Sequence, residues 1–494
     1  MKVLLIYPEF PLTFWSFKYA LKFIGKKASD PPLGLLTVAA LLPPSWEKKL
    51  VDMNTQKLSV KDILWSDFVF ISAMDVQKIS FNKVVKMCND LNVKIVAGGP
   101  MVTQNHESFP NVDYFILNEA EITLEAFLKD FEEGHLERVY ETKEFSDLSR
   151  TPIPNWSLLN MKDYASMDLQ YSRGCPFNCE FCSITTLFGN KTRVKETSKF
   201  LDEINSLYSS RWRGPVFIVD DNFIGNKKNL KNEMLPALIK WQKEHNYPFN
   251  FTTEVSINLS DDEVLMDLMR EAGFDSCFVG IESPIEESLN ECRKIQNQGR
   301  DLVKSVKIMQ RKGFSVMGGF IIGFDNDPID IFEKQEEFIR KSGIVTAMVG
   351  LLSAPKGTIL YKKLKSENRI ISEISGNNTD GRLNFITQIN QGKLKNGYKE
   401  LMKKLYHPKI YYERIKMFLL EYSPPPKNTM NRSLLYIVKA LFKTVIKLGI
   451  FRKEGKRYFW RLFGYTLVNH PGQLGLALTF AVYGYHFQMV AESI

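Results

Sequence analysis

The sequence predicts an α/β protein built from two successive parallel-sheet units, the second curling toward a partial (β/α)6 barrel, with a mainly helical region closing the chain. Three observations carry this expectation. Short apolar strands alternate with helical patterns up to about residue 130, the same alternation returns from Met167 to Leu351, and beyond about residue 355 it stops. The expected divisions are 1–140 for the first unit, 141–160 for a linker, 161–355 for the barrel and 356–494 for the helical part. With 494 residues, 44% of them hydrophobic and 24% charged, and no repeat or low-complexity tract, each unit has material for its own core.

In the first unit, strands are expected at Lys2–Tyr7, Lys49–Asp52, Asp67–Ser72, Val93–Ala97 and Tyr114–Leu117, and helices at Leu33–Leu42, Phe81–Leu91 and from Ile122. Doubly wound sheets of this kind bind ligands at the carboxyl ends of their strands. Asp52, Asn54, Ser72, Gly98, Gly99, Glu119 and Glu121 fall there. The Gly98-Gly99-Pro100 step permits close approach of a ligand to the backbone, and it equally suits a plain turn.

Ser149–Asn155, with Pro152 and Pro154, reads as a stiff connection. Barrel strands follow at Met167–Tyr171, Val216–Val219, Phe249–Val255, Cys277–Ile281, Ser315–Ile322 and Thr346–Leu351, with helical patterns between them. Right-handed crossovers put functional residues on the carboxyl-end loops. Asp220 and Asp221 follow the second strand, Glu254 and Ser256 the third and Glu282 the fourth; Ile321 ends the fifth, ahead of Asp325 and Asp327. Aspartates here also serve as helix caps, and Glu282 also suits a surface ion pair.

After the first barrel strand comes Tyr-Ser-Arg-Gly-Cys-Pro-Phe-Asn-Cys-Glu-Phe-Cys, residues 171–182. Cys175, Cys179 and Cys182 stand in a C-x3-C-x2-C spacing, and three thiolates so crowded point to a metal site. A closed structural zinc site takes four ligands, whereas an iron–sulfur cube held by three cysteines leaves one iron open to substrate. A zinc knuckle with a distant fourth ligand is the alternative that spacing leaves. Cys88, Cys277 and Cys292 lie far apart with no secretory framework and read as reduced, packed thiols. The apolar run after Met1-Lys2 is too short for a signal peptide, so a cytoplasmic protein is expected.

The motif C-x3-C-x-aromatic-C after a strand resembles the radical S-adenosylmethionine (SAM) superfamily. The resemblance implies a [4Fe-4S] cluster on Cys175, Cys179 and Cys182, with SAM on its free iron as the source of a 5'-deoxyadenosyl radical. It further implies SAM contacts from Phe181, Asp220, Asp221, Glu254, Ser256, Glu282 and Ile321, and a one-electron donor such as flavodoxin or ferredoxin. Arg173 beside the cluster is either structural or a counter-charge to the reduced cluster.

Placed ahead of this motif, the first unit resembles the Rossmann-like cobalamin-binding domain of cobalamin-dependent radical SAM enzymes. The likeness lies in Pro31-Pro32-Leu33-Gly34, Val51-Asp52-Met53-Asn54, Ala97-Gly98-Gly99-Pro100 and Asn118-Glu119-Ala120-Glu121. It implies cobalamin contacts from Asp52, Asn54, Ser72, Gly98, Gly99, Glu119 and Glu121. A D-x-H-x-x-G loop is absent, since Met53-Asn54-Thr55 follows Asp52, so the expected cobalamin is base-off with no histidine ligand. An empty, vestigial site is the other reading of the same sheet.

The whole layout resembles a branch that includes methylases of hopanoid lipids and bacteriochlorophyllide precursors. It implies methylation of an unactivated carbon on a hydrophobic, lipid or tetrapyrrole-like, substrate. Carbon–carbon coupling, cyclisation or rearrangement without methyl transfer is the second reading, and a non-catalytic metal or cobalamin binder the third.

In the C-terminal part a helix is expected at Leu394–Leu405. Leu434, Val438, Leu441, Val445 and Leu448 fall on one helical face, opposite Lys439, Lys443 and Lys447, a basic amphipathic pattern that suits an anionic membrane surface or packing on the barrel. Arg452, Lys453, Lys456, Arg457 and Arg461 follow, interleaved with aromatics. The apolar core Leu474–Tyr485 looks too short to span a bilayer, which favours peripheral contact. The net charge of +9 is modest for this length and, apart from the share in this C-terminal part, the basic residues are spread rather than gathered beside aromatic platforms, so nucleic acid is not the favoured partner.

Overall fold

Continuous apolar strands, rather than alternating ones, build the first sheet, because helices cover both of its faces. The computed structural model describes residues 1–424, 440–452 and 454–494. Its first sheet holds β1 (Lys2–Tyr7), β2 (Glu47–Asp52), β3 (Phe68–Ser72), β4 (Lys94–Gly98), β5 (Tyr114–Ile116) and β6 (Val139–Tyr140), all parallel, in the order β2-β1-β3-β4-β5-β6. Val3, Leu4, Leu5 and Ile6 of β1 are fully buried. Strand order reverses between β1 and β3, which opens a crevice at their carboxyl ends. The two-residue β6 is too short to leave a pattern in the sequence.

The second sheet takes its strands in chain order: β7 (Met167–Leu169), β10 (Gly214–Ile218), β11 (Phe249–Val255), β12 (Phe274–Glu282), β13 (Ser315–Ile322) and β14 (Ala347–Leu351). Between β7 and β10 lies a separate antiparallel ribbon, β8 (Ser172–Arg173) with β9 (Arg193–Val194). All six barrel strands are parallel, and β7 and β14 do not pair, so the barrel is an open arc. Burial alternates along β10 and β11. Val216, Ile218, Phe251, Cys277 and Val279 are buried beneath the outer helices, whereas Phe217, Thr252, Glu254, Phe278, Met317 and Met348 keep partial exposure on the opposite face. That face lines an open lumen.

Two C-terminal expectations change. Leu434, Val438, Lys439 and Lys453 lie outside the described residues. Next to them, Val445–Phe451 is π-helical, Leu448 is buried, and the Lys447 ammonium sits over the rings of Phe23 (4.7 Å) and Tyr485 (4.8 Å) instead of facing water. An aromatic face attracts a cation and partly offsets its loss of water, so charge alone did not mark the outer side. The second correction concerns length. His486 and Gln488 do not break the last helix, which runs Leu474–Ser493; with its leading turn, Pro471–Ser493 is long and apolar enough to cross a membrane. It is packed within the protein instead, with 61% of its most apolar window buried. Phe14 stacks on Phe487 at 4.0 Å, and the imidazole of His486 meets the Phe14 carbonyl at 2.9 Å.

Candidate functional site

The cysteine loop is held at its stem by the next strand and by the other sheet. The backbone N–H of Tyr171 and the hydroxyl of Ser172 donate to Asp220 at 2.7 and 2.6 Å, and the N–H of Gly174 donates to Asp221 at 2.9 Å. Gly174 has φ +85°, and a Cβ there would lie 2.7 Å from the Lys191 carbonyl, so only glycine fits this turn. Across the ribbon, Arg173 pairs with Arg193. Both arginines turn to the first unit: Arg173 makes a bidentate pair with Glu121 (3.1 and 2.7 Å) and Arg193 with Glu119 (3.0 and 2.5 Å). Burial pushes the Glu121 carboxyl up, but its hydrogen bonds to Arg173 outweigh that and hold it at about 2.

The loop itself is pinned from the barrel side. Glu180 donates its N–H to the Cys292 carbonyl (3.0 Å) and accepts from the Leu360 N–H (2.9 Å). None of Cys175, Cys179 and Cys182 is in a disulfide. Burial raises all three thiols, Cys182 to about 12, and the Lys294 ammonium opposes this at each of them. Among the described residues no three Cys, His, Asp or Glu side chains converge on the position of a single metal ion. The donor set fits a cluster in which each thiolate takes a different iron, better than it fits a zinc knuckle. The Gln296 amide is directed at Cys179 Sγ (3.9 Å) while its own carbonyl oxygen is buried without a partner.

Around the cysteines the barrel gathers Asp221, Glu254 and Glu282. Burial raises the Glu254 carboxyl to about 8, with Asp221 adding to the shift, and burial likewise raises Asp221 to about 6. Glu282, at a bulge with φ +64°, pairs with Lys294 at 2.6 Å. A Cβ on Gly280 would lie 2.4 Å from the Glu282 carboxylate and 2.7 Å from the Lys294 nitrogen, so glycine makes room for that pair. Phe181 packs beside Ile321 and Phe324, its ring 6.3 Å from the latter. Asp220, by contrast, is fully engaged in the loop stem, and Ser256 is tied to Asn222 and Asn258.

In the first unit the expected ligand contacts divide in the same way. Gly99 has φ +91°, and a Cβ there would lie 2.5 Å from the Ser72 hydroxyl, so Ser72, Gly98 and Gly99 form a tight, open strand end. Asp52 instead accepts from the Tyr164 hydroxyl (2.8 Å) and from Asn54, whose carbonyl oxygen accepts from the Phe10 N–H. Asp52 and Asn54 therefore brace the segment leading into β7 and the loop after β1. Glu119 and Glu121 point at the cysteine loop, not at the open edge.

Sequence reading missed Lys294 and Arg193, which sit in no motif. It also missed a carboxyl pair, Asp168 on β7 and Asp30 before the first long helix, which share a hydrogen bond; burial raises both, Asp168 well above its usual range. No local signal marks a contact across 138 residues. The lumen is also more aromatic than the strands alone suggested: Trp15 reaches in from the N-terminal segment, its ring edge-on to Phe278 at 5.6 Å and its indole N–H on Met348 Sδ at 3.0 Å.

Comparison with known proteins fits this geometry. The model of the Radical SAM superfamily matches residues 169–339. An uncharacterized methyltransferase of Synechocystis sp. is 40% identical, covering 100% of this chain and 92% of the relative. The chain belongs to the radical SAM superfamily. It is an enzyme. The hopanoid C-2 methylase of Rhodopseudomonas palustris is 31% identical over 84% of this chain and 78% of that one. Residues 358–494 match a domain of unknown function, DUF4070. Among solved structures, the radical SAM methyltransferase TsrM of Kitasatospora setae, with cobalamin and a [4Fe-4S] cluster bound, superposes with a TM-score of 0.60 at 14% identity, over 80% of this chain and 85% of that one. The cobalamin-dependent radical enzyme OxsB gives 0.61 at 14%, over 99% of this chain and 79% of that one. At such identity these two speak for the fold.

Proposed function

We propose that this radical SAM enzyme is a cobalamin-dependent methyltransferase that acts on an unactivated carbon of an apolar, lipid or tetrapyrrole-like, substrate. The observation that carries the reading is a loop of three unbonded cysteines beside a lumen walled by Phe217, Phe278, Met317, Met348 and Trp15. Methyltransferase relatives at 40% and 31% identity support methyl transfer, and the hopanoid methylase among them supports an apolar substrate. When bound, the cluster with SAM supplies hydrogen abstraction from carbon, and cobalamin supplies the methyl group.

The chain's own residues hold and exclude. Cys175, Cys179 and Cys182 would hold the cluster. Lys294 offers a cation to a carboxylate, and Asp221, Glu254 and Glu282 offer acceptors to an ammonium, the two charged ends of the SAM amino-acid portion. Phe181 and Ile321 provide an apolar surface for a flat ring. Ser72, Gly98 and Gly99, at the open end of β3 and β4, would take cobalamin, base-off with no histidine ligand. Asp52 and Asn54 brace the loop after β1, and Glu119 and Glu121 hold the stem of the cysteine loop. A flavodoxin- or ferredoxin-like protein is the proposed electron donor, and contact with a membrane would give access to a greasy substrate.

The reading is tested with SAM carrying a deuterated methyl group, given to the anaerobically reconstituted enzyme with a lipid and pigment extract from cells lacking the gene. A labelled product formed together with 5'-deoxyadenosine and S-adenosylhomocysteine is expected. Deoxyadenosine without linked S-adenosylhomocysteine and without label in any product contradicts methyl transfer.

A further inference from the structure

Between residues 440 and 469 the chain carries seven lysines and arginines against one acid, Glu454. The helix Lys456–Asn469 buries Phe459, Leu462 and Thr466 against the body of the protein. At 100° per residue, Arg457, Trp460, Arg461, Gly464, Leu467 and Val468 fall within an arc of about 120° on its other side. All six are exposed, Val468 at 80%. The π-helical turn before it extends this face: the indole N–H of Trp460 donates to the Gly449 carbonyl at 2.9 Å, which sets exposed Ile450 and Phe451 (76%) beside Trp460.

We infer that this outer face is a docking surface for an anionic lipid bilayer. Ile450, Phe451, Leu467 and Val468 face water, and Trp460, although its ring packs edge-on against Phe459 and Phe463, keeps 45% of its surface exposed beside them. Lys456, Arg457 and Arg461 frame them with positive charge, the combination of apolar insertion and headgroup attraction that holds a protein in the interfacial plane. The surface keeps only part of the basic stretch that the sequence nominated, the outer side of Lys456–Asn469, and adds apolar residues that the sequence did not single out. The long terminal helix is spent on internal packing, and Lys447 and Arg452 turn inward onto Tyr485. The inference goes beyond the proposed reaction and stands on different residues from it.

Co-sedimentation of the full-length protein with vesicles tests it, using phosphatidylcholine alone and phosphatidylcholine with about one third phosphatidylglycerol. The expected result is binding to the anionic vesicles that falls as salt is raised and is weak on the neutral ones. The triple variant Phe451→Ser, Leu467→Ser, Val468→Ser and the double variant Arg457→Gln, Arg461→Gln are each expected to lower binding roughly tenfold or more, with thermal unfolding unchanged. Wild-type protein that stays in the supernatant with anionic vesicles, or a triple variant that sediments like wild type, overturns the inference. Self-association that the triple variant abolishes, without vesicle binding, assigns the face to a second copy of the chain and overturns it too.

Discussion

The two parallel sheets of this protein have six strands each, and each presents candidate polar residues at its strand ends, yet they use them in opposite ways. In the first, Asp52, Asn54, Glu119 and Glu121 are consumed by the protein, leaving Ser72, Gly98 and Gly99 as an open edge. In the barrel, Asp221, Glu254 and Glu282 converge with three free thiols and Lys294 on one space. The lesson is that a carboxylate at a strand end is left free for other contacts only where no arginine or tyrosine reaches it first. Glu119 and Glu121 also make one sheet serve the other, because they hold the stem of the cysteine loop.

The largest expected effect breaks the barrel side of this comparison. Replacing Cys175, Cys179 and Cys182 together by alanine is expected to remove essentially all iron and all 5'-deoxyadenosine release, measured by iron assay and chromatography, while Asp52→Asn leaves iron content at the wild-type level. Next comes the brace between the sheets. Glu121→Gln strips a buried arginine of its bidentate carboxylate, leaving it Gln170 and a Glu119 oxygen 3.8 Å away, and is expected to destabilise by about 3 kcal/mol in urea unfolding.

Its pH dependence sharpens the point. The Glu121 carboxyl is held at about 2 against an ordinary 4.5, so the pair's contribution is complete above pH 4.5 and is lost as pH falls toward 2. Wild type should lose about 3 kcal/mol more than Glu121→Gln across that window. A smaller effect is expected from Asp220→Ala, which leaves the Tyr171 N–H and the Ser172 hydroxyl without an acceptor: about 2 kcal/mol in the same assay, with lower iron occupancy. Smallest in stability, about 1 kcal/mol, is Gly280→Ala. The flexible ends of Glu282 and Lys294 can move aside, so the change should appear as weaker SAM binding, read from the SAM concentration that half-saturates deoxyadenosine release.

Much of this was legible in the sequence for a physical reason. Strands buried on both faces are continuous apolar runs, and thiolates three and four residues apart have few uses besides metal. Strand ends, and hence candidate positions, followed from the same runs. Partners did not. The Arg173–Glu121 pair joins residues 52 apart, Asp52 meets Tyr164 from 112 away, and no local periodicity records either. The C-terminal helices misled for another reason: a basic residue over an aromatic ring, as at Lys447, has the same sequence pattern as one in water.

The central claim is that the cysteine loop carries a four-iron cluster with one iron open to SAM. Electron paramagnetic resonance of the anaerobically reconstituted, reduced enzyme tests it most directly. The account predicts a [4Fe-4S] signal whose line shape changes when SAM is added. A signal indifferent to SAM, or a protein that assembles no four-iron cluster, would contradict it.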